Sequence, residues 1–190
     1  MKRTLTLENI EVLFTQEEIK ERVRELALRI KEDYKGILSN RNKDKLVLLG
    51  ILNGCVPFIG DLARKLSEYF PVGFIEIDYI AISSYRGMKS GPIRIDKDTK
   101  YPLKGKHVLL VEDIIDTGRT LQEVVGLLTK RGVKSLRICV LVEKIKARDN
   151  NLKIDYSGFA APGHKWLVGY GLDLDGMGRE LPFIGYLKQH

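Results

Sequence analysis

The stretch that decides the fold is VLLVEDIIDTGRTL, which runs from Val108 to Leu121. Its first part is a short apolar run of the kind that forms a buried strand. A turn that contains Gly118 follows, and helical spacing begins at about Thr120. The N–H groups at a helix N-terminus, freed by a glycine and supplemented by hydroxyl groups, can bind one phosphate group. The stretch therefore predicts a strand, an anion-binding turn and a helix.

Three acidic residues precede that turn and restrict the ligands that it can bind. Glu112, Asp113 and Asp116 would repel a phosphate group unless the ligand also offered hydroxyl groups, a metal ion or a removable proton. Carboxylates accept hydrogen bonds from ribose hydroxyl groups, directly or through Mg²⁺, while the turn holds the phosphate nearby. A sugar phosphate fits both halves of the motif. The alternative is an ordinary strand-to-helix turn with a simple helix cap and solvated acids.

Outside this stretch, apolar runs alternate with helical patterns along the chain. Four apolar runs predict strands, at Leu46 to Ile51, Val72 to Ser83, His107 to Val111 and Leu136 to Val142. Apolar residues at helical spacing predict three helices, from a capping box at Thr15 up to Gly36, from Pro57 to about Tyr69, and from about Thr120 to Lys130. This alternation predicts an α/β fold, with a parallel sheet covered by helices and ligands beyond the carboxyl ends of its strands.

The C-terminal part and one long polar segment differ from this pattern. From Tyr156 onward, short apolar pieces are broken by Gly, Pro and Asp, which predicts a small β-rich hood. The polar segment Ser83 to Lys100 has no apolar run, which favours a lid over a linker between domains. We therefore expect one domain, with a core over residues 37–155, a hood from the N-terminal segment and residues 156–190, and a lid over residues 83–100.

Composition excludes several classes of protein. With 190 residues, 44% of them hydrophobic and 30% charged, the chain suits one globular domain and neither a disordered nor a membrane-spanning protein. The N-terminal residues lack the apolar run of a secretory signal, so a cytoplasmic location is expected. Cys55 and Cys139 lie far apart without metal-ligand spacing, which predicts reduced thiols rather than a disulfide or a zinc site.

The net charge of +7 predicts attraction to anions but does not distinguish a phosphorylated small molecule from RNA. Much of this charge lies between residues 130 and 153, in Lys130, Arg131, Lys134, Arg137, Lys144, Lys146, Arg148 and Lys153. The basic residues alternate with apolar ones, as on an exposed face. A solvated face is the simpler interpretation of this run, and RNA binding is the alternative.

The stretch VLLVEDIIDTGRTL resembles the signature of the type I phosphoribosyltransferases, and most closely of those that act on hypoxanthine and guanine. The likeness extends from Leu46 to the C-terminus and includes HKWLVGYGLD and LPFIGYLK. It implies the type I phosphoribosyltransferase fold, with a central parallel sheet, flanking helices and a small β-rich hood. It also implies transfer of the 5-phosphoribosyl group from phosphoribosyl pyrophosphate to hypoxanthine or guanine, which gives IMP or GMP and pyrophosphate. Mg²⁺ as the cofactor, no membrane partner and a homodimer or homotetramer are further implications.

The resemblance assigns roles to individual residues of this sequence. The phosphoribosyl group would be bound by Glu112, Asp113, Asp116, Thr117, Gly118, Arg119 and Thr120. Pyrophosphate would be bound by Leu52, Asn53, Gly54 and Arg179, under a lid that carries Ser84 and Tyr85. The purine would be bound by Lys165, Trp166, Leu167 and Asp173, and Mg²⁺ would be held by Glu112, Asp113 and Asp173.

Each of these roles suits the chemistry of its side chain. An ammonium group only donates hydrogen bonds, so Lys165 would bind O6 and N7 of a 6-oxopurine and oppose the amino group of adenine. Trp166 would stack on the purine, and the main chain of Leu167 and Asp173 would meet its 2-position. Asp116 would accept the ring-nitrogen proton as the general base while C1 of the ribose loses pyrophosphate.

The chain departs from the family at one position of the pyrophosphate loop, where Asn53 stands in place of a lysine that often follows a non-proline cis peptide. This removes a positive charge, so backbone N–H groups would bind the anion. Two alternatives stay open. One is an RNA-binding regulator on the same fold, against which the Lys165–Trp166 pair argues. The other is a phosphoribosyltransferase that prefers xanthine, because backbone groups that contact the 2-position do not reveal its substituent.

Overall fold

A computed structural model describes residues 5–38, 44–84, 93–145 and 152–188. Its strands are β1 (Ile10–Phe14), β2 (Leu46–Ile51), β3 (Ile75–Ser84), β4 (Ile93–Lys97), β5 (His107–Ile115), β6 (Ser135–Ile145), β7 (Tyr156–Pro162), β8 (Leu167–Val168) and β9 (Ile184–Leu187). Its helices are α1 (Gln16–Tyr34), α2 (Val56–Leu66) and α3 (Arg119–Lys130), after a short 3-10 turn at Leu7–Asn9. No helix in this part of the chain is both long and apolar enough to cross a membrane.

The strands form two sheets. The larger has the order β4-β3-β2-β5-β6-β7, and the smaller has the order β1-β9-β8. In the larger sheet β3, β2, β5, β6 and β7 run parallel, whereas β4 pairs antiparallel with β3 at the edge. The predicted α/β fold with a hood is confirmed, although the central sheet is mixed rather than wholly parallel because of β4.

The two faces of the central sheet bury separate apolar clusters. Leu46 and Leu48 of β2 pack with α1 and α2 on one face, whereas Val47 and Leu49 pack with α3 on the other. Successive side chains of a strand point to opposite faces, so β2 must be apolar throughout to be buried on both. The helices confirm their sequence patterns, and α1 begins at a capping box in which the Glu18 N–H donates to Thr15 Oγ1 at 3.3 Å.

The strand β7 differs from the expectation that the hood begins at Tyr156. It pairs in parallel with β6 and forms an edge of the central sheet, with Tyr156 opposite Cys139. Gly158, which interrupts the apolar pattern, lies so close to β6 that an added Cβ would be 2.5 Å from the Leu141 carbonyl oxygen. The glycine therefore marks a close backbone approach within the sheet rather than the end of a strand.

The segment expected to be a lid without secondary structure also differs in part. Its two ends form the antiparallel pair of β3 and β4, in which Ser83 lies opposite Arg94. The sequence of β4, IRIDK, alternates apolar and charged residues, and Ile95 packs partly against the core. That alternation is the strand signal within this polar segment. Residues 85–92, including Tyr85, lie outside the described residues.

Candidate active site

Two loops and the end of β6 meet at the carboxyl edge of the central sheet because β2, β5 and β6 are adjacent parallel strands. Residues 52–54 follow β2, and residues 116–118 connect β5 to α3. The end of β6 lies beside them, since Glu143 is paired with Ile115. Loops beyond the carboxyl ends of parallel strands are the usual ligand-binding position in an open α/β sheet.

The turn between β5 and α3 lines a cavity of about 180 Å³. Gly118 is the N-cap of α3 at a φ of 78° and contributes no side chain, so the N–H groups of the first helical turn lie at this cavity. Six of the seven residues predicted to bind the phosphoribosyl group line it, namely Glu112, Asp116, Thr117, Gly118, Arg119 and Thr120. Helix N–H groups beside carboxylates are suited to a ligand that carries both a phosphate and hydroxyl groups.

Glu112 and Asp113 are neighbouring acids in β5, of which Asp113 is buried and Glu112 is partly buried with its Oε2 enclosed. Burial raises the pKa of Glu112 well above its usual value, and the adjacent Asp113 raises it further. Burial also raises the pKa of Asp113, an effect that backbone N–H groups and the more distant Arg179 oppose. Glu112 Oε2 is buried without a hydrogen-bond partner in the described residues. Two acids so enclosed favour holding a proton, and a cation or a sugar hydroxyl would satisfy the unpaired oxygen.

In the loop Leu52–Gly54, Gly54 is buried between Asp113 and the hood, whereas Asn53 is exposed. The Leu52–Asn53 peptide bond is cis, as the family resemblance suggested. A Cβ added at Gly54 would lie 1.9 Å from Asp113 Oδ2, and one added at Gly171 would lie 2.0 Å from the Gly54 carbonyl oxygen. Gly171 also has a φ of 98°, which L side chains rarely adopt. Both positions therefore require glycine to bring the loop, the acid pair and the hood together.

Lys144 at the end of β6 is a site residue that the sequence reasoning missed. Its Nζ donates to Asp116 Oδ2 at 2.9 Å, and its side chain is only 11% exposed, against 53% for that of Asp116. In the sequence Lys144 was grouped with the basic face. The sequence nevertheless held a clue to its position. Lys144 follows the predicted strand that comes after the helix of the VLLVEDIIDTGRTL stretch, and consecutive strands of such a sheet tend to be neighbours, so the lysine was placed to lie near the turn.

In the hood, hydrogen bonds join Trp166, Asp173 and Arg179, three further residues that were predicted for the site. Trp166 is 57% exposed, and its Nε1 donates to the Asp173 carbonyl oxygen at 2.9 Å. Asp173 Oδ1 lies 2.7 Å from Arg179 Nη2. Leu167 is buried in β8 with its main chain paired to β9. Lys165 lies elsewhere on the hood, with its Nζ 4.0 Å from the centroid of the Tyr186 ring.

The described residues contain no cluster of three or more His, Cys, Asp or Glu side chains arranged to hold a metal ion. Glu112, Asp113 and Asp173 nevertheless supply the oxygen donors that Mg²⁺ prefers, and Mg²⁺ commonly takes few protein ligands with the rest from water and phosphate. The unpaired Glu112 Oε2 is consistent with such a ligand. Of the two predicted lid residues, Ser84 ends β3 and Tyr85 lies outside the described residues.

The basic run between residues 130 and 153 is largely neutralised by carboxylates. Arg131 makes two hydrogen bonds with Asp98, of 2.6 and 2.8 Å. Four other cations of the run each lie within 3.2 Å of an acid, in the pairs Lys134–Asp44, Arg137–Asp33, Lys144–Asp116 and Lys153–Asp155. Lys146 and Arg148 lie outside the described residues. The described part of the run therefore forms ion pairs rather than a continuous basic surface.

Comparison with known proteins gives concordant results. A family model described as the phosphoribosyl transferase domain matches residues 10–174. Hypoxanthine phosphoribosyltransferase of Buchnera aphidicola subsp. Schizaphis graminum is 42% identical over 178 residues, which cover 93% of this chain and 94% of the relative. Hypoxanthine-guanine phosphoribosyltransferase of Dictyostelium discoideum is 40% identical over 181 residues, covering 94% and 96%.

Solved structures extend the similarity to the fold. A variant of the Trypanosoma cruzi hypoxanthine phosphoribosyltransferase, in complex with its product IMP, superposes with a TM-score of 0.89 at 38% identity. The similarity covers 97% of this chain and 94% of that one. The sequence and structural comparisons thus agree over nearly the whole chain.

Proposed function

The chain belongs to the phosphoribosyl transferase family, and from this premise we propose how its residues carry out the reaction. It is a purine salvage enzyme that transfers the 5-phosphoribosyl group of phosphoribosyl pyrophosphate to hypoxanthine or guanine. One observation carries the assignment of the site. The cavity at the start of α3 presents helix N–H groups beside the carboxyl groups of Glu112 and Asp116, and these two features match the phosphate and the hydroxyl groups of one ribose phosphate.

Phosphoribosyl pyrophosphate would bind across the carboxyl edge of the sheet. Its 5-phosphate enters the cavity lined by Thr117 to Thr120, and its ribose hydroxyl groups reach the Glu112–Asp113 pair. Its pyrophosphate lies over the loop Leu52–Gly54, toward Arg179. The contact of Gly171 with Gly54 supports this placement, because it joins the loop to the hood segment that carries the arginine. With Asn53 in the loop, backbone N–H groups supply most of its binding to the anion.

Mg²⁺ is the metal that this donor set fits. The carboxylates of Glu112, Asp113 and Asp173 would hold it, together with water and oxygens of the substrate. When bound, the ion offsets the charge that gathers on the departing pyrophosphate. The protein itself contributes the position of these carboxylates and the Arg179 guanidinium 2.7 Å from Asp173.

The purine would lie against Trp166, with its 2-position toward the main chain of Leu167 and Asp173. Two ammonium groups are candidates for the donor to O6. Lys144 lies 2.9 Å from Asp116, whereas Lys165 lies over the Tyr186 ring. O6 and N7 are neighbours on one edge of the purine, so the O6 donor must lie close to the base that takes the adjacent proton. This geometry favours Lys144.

In the reaction, Asp116 accepts the ring-nitrogen proton of the purine as C1 of the ribose loses pyrophosphate through an oxocarbenium-like transition state. The ammonium of Lys144 orients the Asp116 carboxylate before the purine arrives, because its Nζ donates a charge-assisted hydrogen bond to Asp116 Oδ2 at 2.9 Å. The lid that carries Ser84 and Tyr85 would close over the reacting carbon and exclude water, which would otherwise capture the cationic sugar.

An RNA-binding regulator on the same fold is the second candidate function. The ion pairs along residues 130–153 count against it, because paired cations release fewer counterions on binding a polyanion. Filter binding of single-stranded and hairpin RNA over a range of salt concentrations tests this candidate. Binding that strengthens steeply at low salt, in a chain without transferase activity, would support the regulator.

The proposed function is tested by an ultraviolet assay with phosphoribosyl pyrophosphate, Mg²⁺ and each of hypoxanthine, guanine, xanthine and adenine. We expect nucleotide formation with hypoxanthine or guanine and none with adenine. Turnover of xanthine in preference to both would support the xanthine alternative. Absence of turnover with every 6-oxopurine would refute the proposal. We also propose a cytoplasmic homodimer or homotetramer, in line with the family resemblance, which light scattering of the purified chain tests for its oligomeric state.

A further inference from the structure

The hood contains a line of hydrogen bonds that begins at Trp166 and ends at Gly171, which packs against the pyrophosphate loop. Trp166 is 57% exposed, yet its orientation is fixed because its Nε1 donates to the Asp173 carbonyl oxygen at 2.9 Å. A tight turn between these two residues is closed by hydrogen bonds in both directions between Gly169 and Leu172, of 2.9 and 3.0 Å. The turn brings Asp173 back beside Trp166.

Asp173 is held through its side chain as well as its main chain. Its Oδ1 lies 2.7 Å from Arg179 Nη2, and its Oδ2 accepts from the Gly176 N–H at 2.7 Å. Arg179 in turn donates from Nη1 to the Gly171 carbonyl oxygen, while its own carbonyl oxygen accepts from the Gly171 N–H at 2.9 Å. Arg179 is therefore oriented by residues 171–173, and the last of these, Asp173, accepts the hydrogen bond of the indole.

The far end of this line touches the pyrophosphate loop. Gly171 packs against Gly54 so closely that an added Cβ would lie 2.0 Å from the Gly54 carbonyl oxygen. If residues 171–173 shift, Gly171 therefore presses on the loop and Asp173 displaces the indole to which it is hydrogen-bonded. Close-packed contacts with no free space transmit such shifts.

We propose that Trp166, beyond stacking on the purine, is a positioning residue for the pyrophosphate end of the site. The indole N–H fixes the position of Asp173, and Asp173 fixes the position of Arg179. Purine binding and pyrophosphate binding are thereby energetically coupled. This inference rests on the proposed function, because it assigns the purine to Trp166 and pyrophosphate to Arg179. Coupling between two binding sites is reciprocal, so pyrophosphate must also affect the indole.

The sole tryptophan of the chain makes the coupling measurable without any variant. Magnesium pyrophosphate is titrated into the wild-type protein with no purine present, and the indole emission is followed. Isothermal calorimetry on the same sample measures pyrophosphate binding independently. We expect a saturable change in emission with the midpoint found by calorimetry. Pyrophosphate that binds by calorimetry and leaves the emission unaltered would overturn the inference.

A variant then isolates the N–H group. Replacing Trp166 with 3-benzothienylalanine keeps the fused rings and substitutes sulfur for the donor. The KM for phosphoribosyl pyrophosphate should rise about 2- to 10-fold, the worth of one hydrogen bond, and more than the KM for hypoxanthine. Trp166→Phe also stacks and also lacks the donor. It should likewise raise the KM for phosphoribosyl pyrophosphate more than the KM for hypoxanthine.

The outcomes separate this inference from the proposed function. If the wild-type chain forms IMP and the benzothienyl variant keeps the wild-type KM for phosphoribosyl pyrophosphate, the coupling is refuted and the function stands. If the wild-type chain forms no nucleotide from any 6-oxopurine, the proposed function fails. The emission response to pyrophosphate is read without catalysis and is not affected by that failure.

Discussion

Replacing Lys144 with glutamine should separate the two candidates for the O6 donor. The Lys144 ammonium is 2.9 Å from Asp116 and its side chain is 11% exposed, so its hydrogen bonds are charge-assisted and little screened by water. Loss of one such bond costs roughly 1.5–3 kcal/mol. The kcat/KM for hypoxanthine should therefore fall about 10- to 150-fold in Lys144→Gln.

The same substitution should weaken discrimination against adenine. A glutamine amide offers an acceptor as well as donors, so it can meet the exocyclic amino group that an ammonium opposes. The assay is the ratio of kcat/KM for hypoxanthine to that for adenine, with phosphoribosyl pyrophosphate in excess. We expect this ratio to fall in Lys144→Gln because its numerator drops and its denominator does not.

Lys165→Gln is the matched control, because it makes the same chemical change in the hood, just before β8. It removes an ammonium that lies over the Tyr186 ring, a contact worth about 1 kcal/mol at a partly exposed position. A small loss of thermal stability with an unaltered purine ratio is expected. If the ratio instead collapses in Lys165→Gln and is kept in Lys144→Gln, then the geometric argument is wrong and Lys165 contacts O6.

Three further predictions concern the site and the stability of the fold. Asp116→Asn should lower kcat by about 10²- to 10⁴-fold in the steady-state assay, as expected for a general base, and unchanged turnover would remove that role. Gly54→Ala would put a Cβ 1.9 Å from Asp113 Oδ2, so kcat/KM for phosphoribosyl pyrophosphate should fall about 10²-fold through misplacement of the acid, with wild-type kinetics contradicting this. Burial, with a further contribution from Lys134, lowers the pKa of His107. The folded state therefore favours the neutral imidazole. The stability that this contributes is complete above the pKa of His107 in the unfolded chain and is lost as pH falls through its pKa in the folded protein. Urea denaturation at pH 7.5 and pH 5 should show this loss, and His107→Gln should show less of it.

The sequence alone was enough to predict the class of fold and the succession of strand, turn and helix at Gly118. An apolar run buried on both faces, such as β2, has no polar position that would let it face water, so its place in a covered sheet follows from local pattern. The turn at Gly118 is equally local, because the glycine, the hydroxyl groups and the helix N-terminus are contiguous. Side chains that act within a few residues of one another need no tertiary information to be recognised together.

Tertiary structure decided the rest, wherever function depends on residues far apart in the chain. Only the parallel register of β5 and β6 brings Lys144 to Asp116, and in the sequence that lysine was one cation in a basic run. Likewise, residues from Tyr156 onward were expected to form the hood, whereas β7 pairs in parallel with β6 at the edge of the central sheet. Composition and periodicity report burial and local conformation, whereas contacts across strands depend on how the elements pack, which no local pattern encodes.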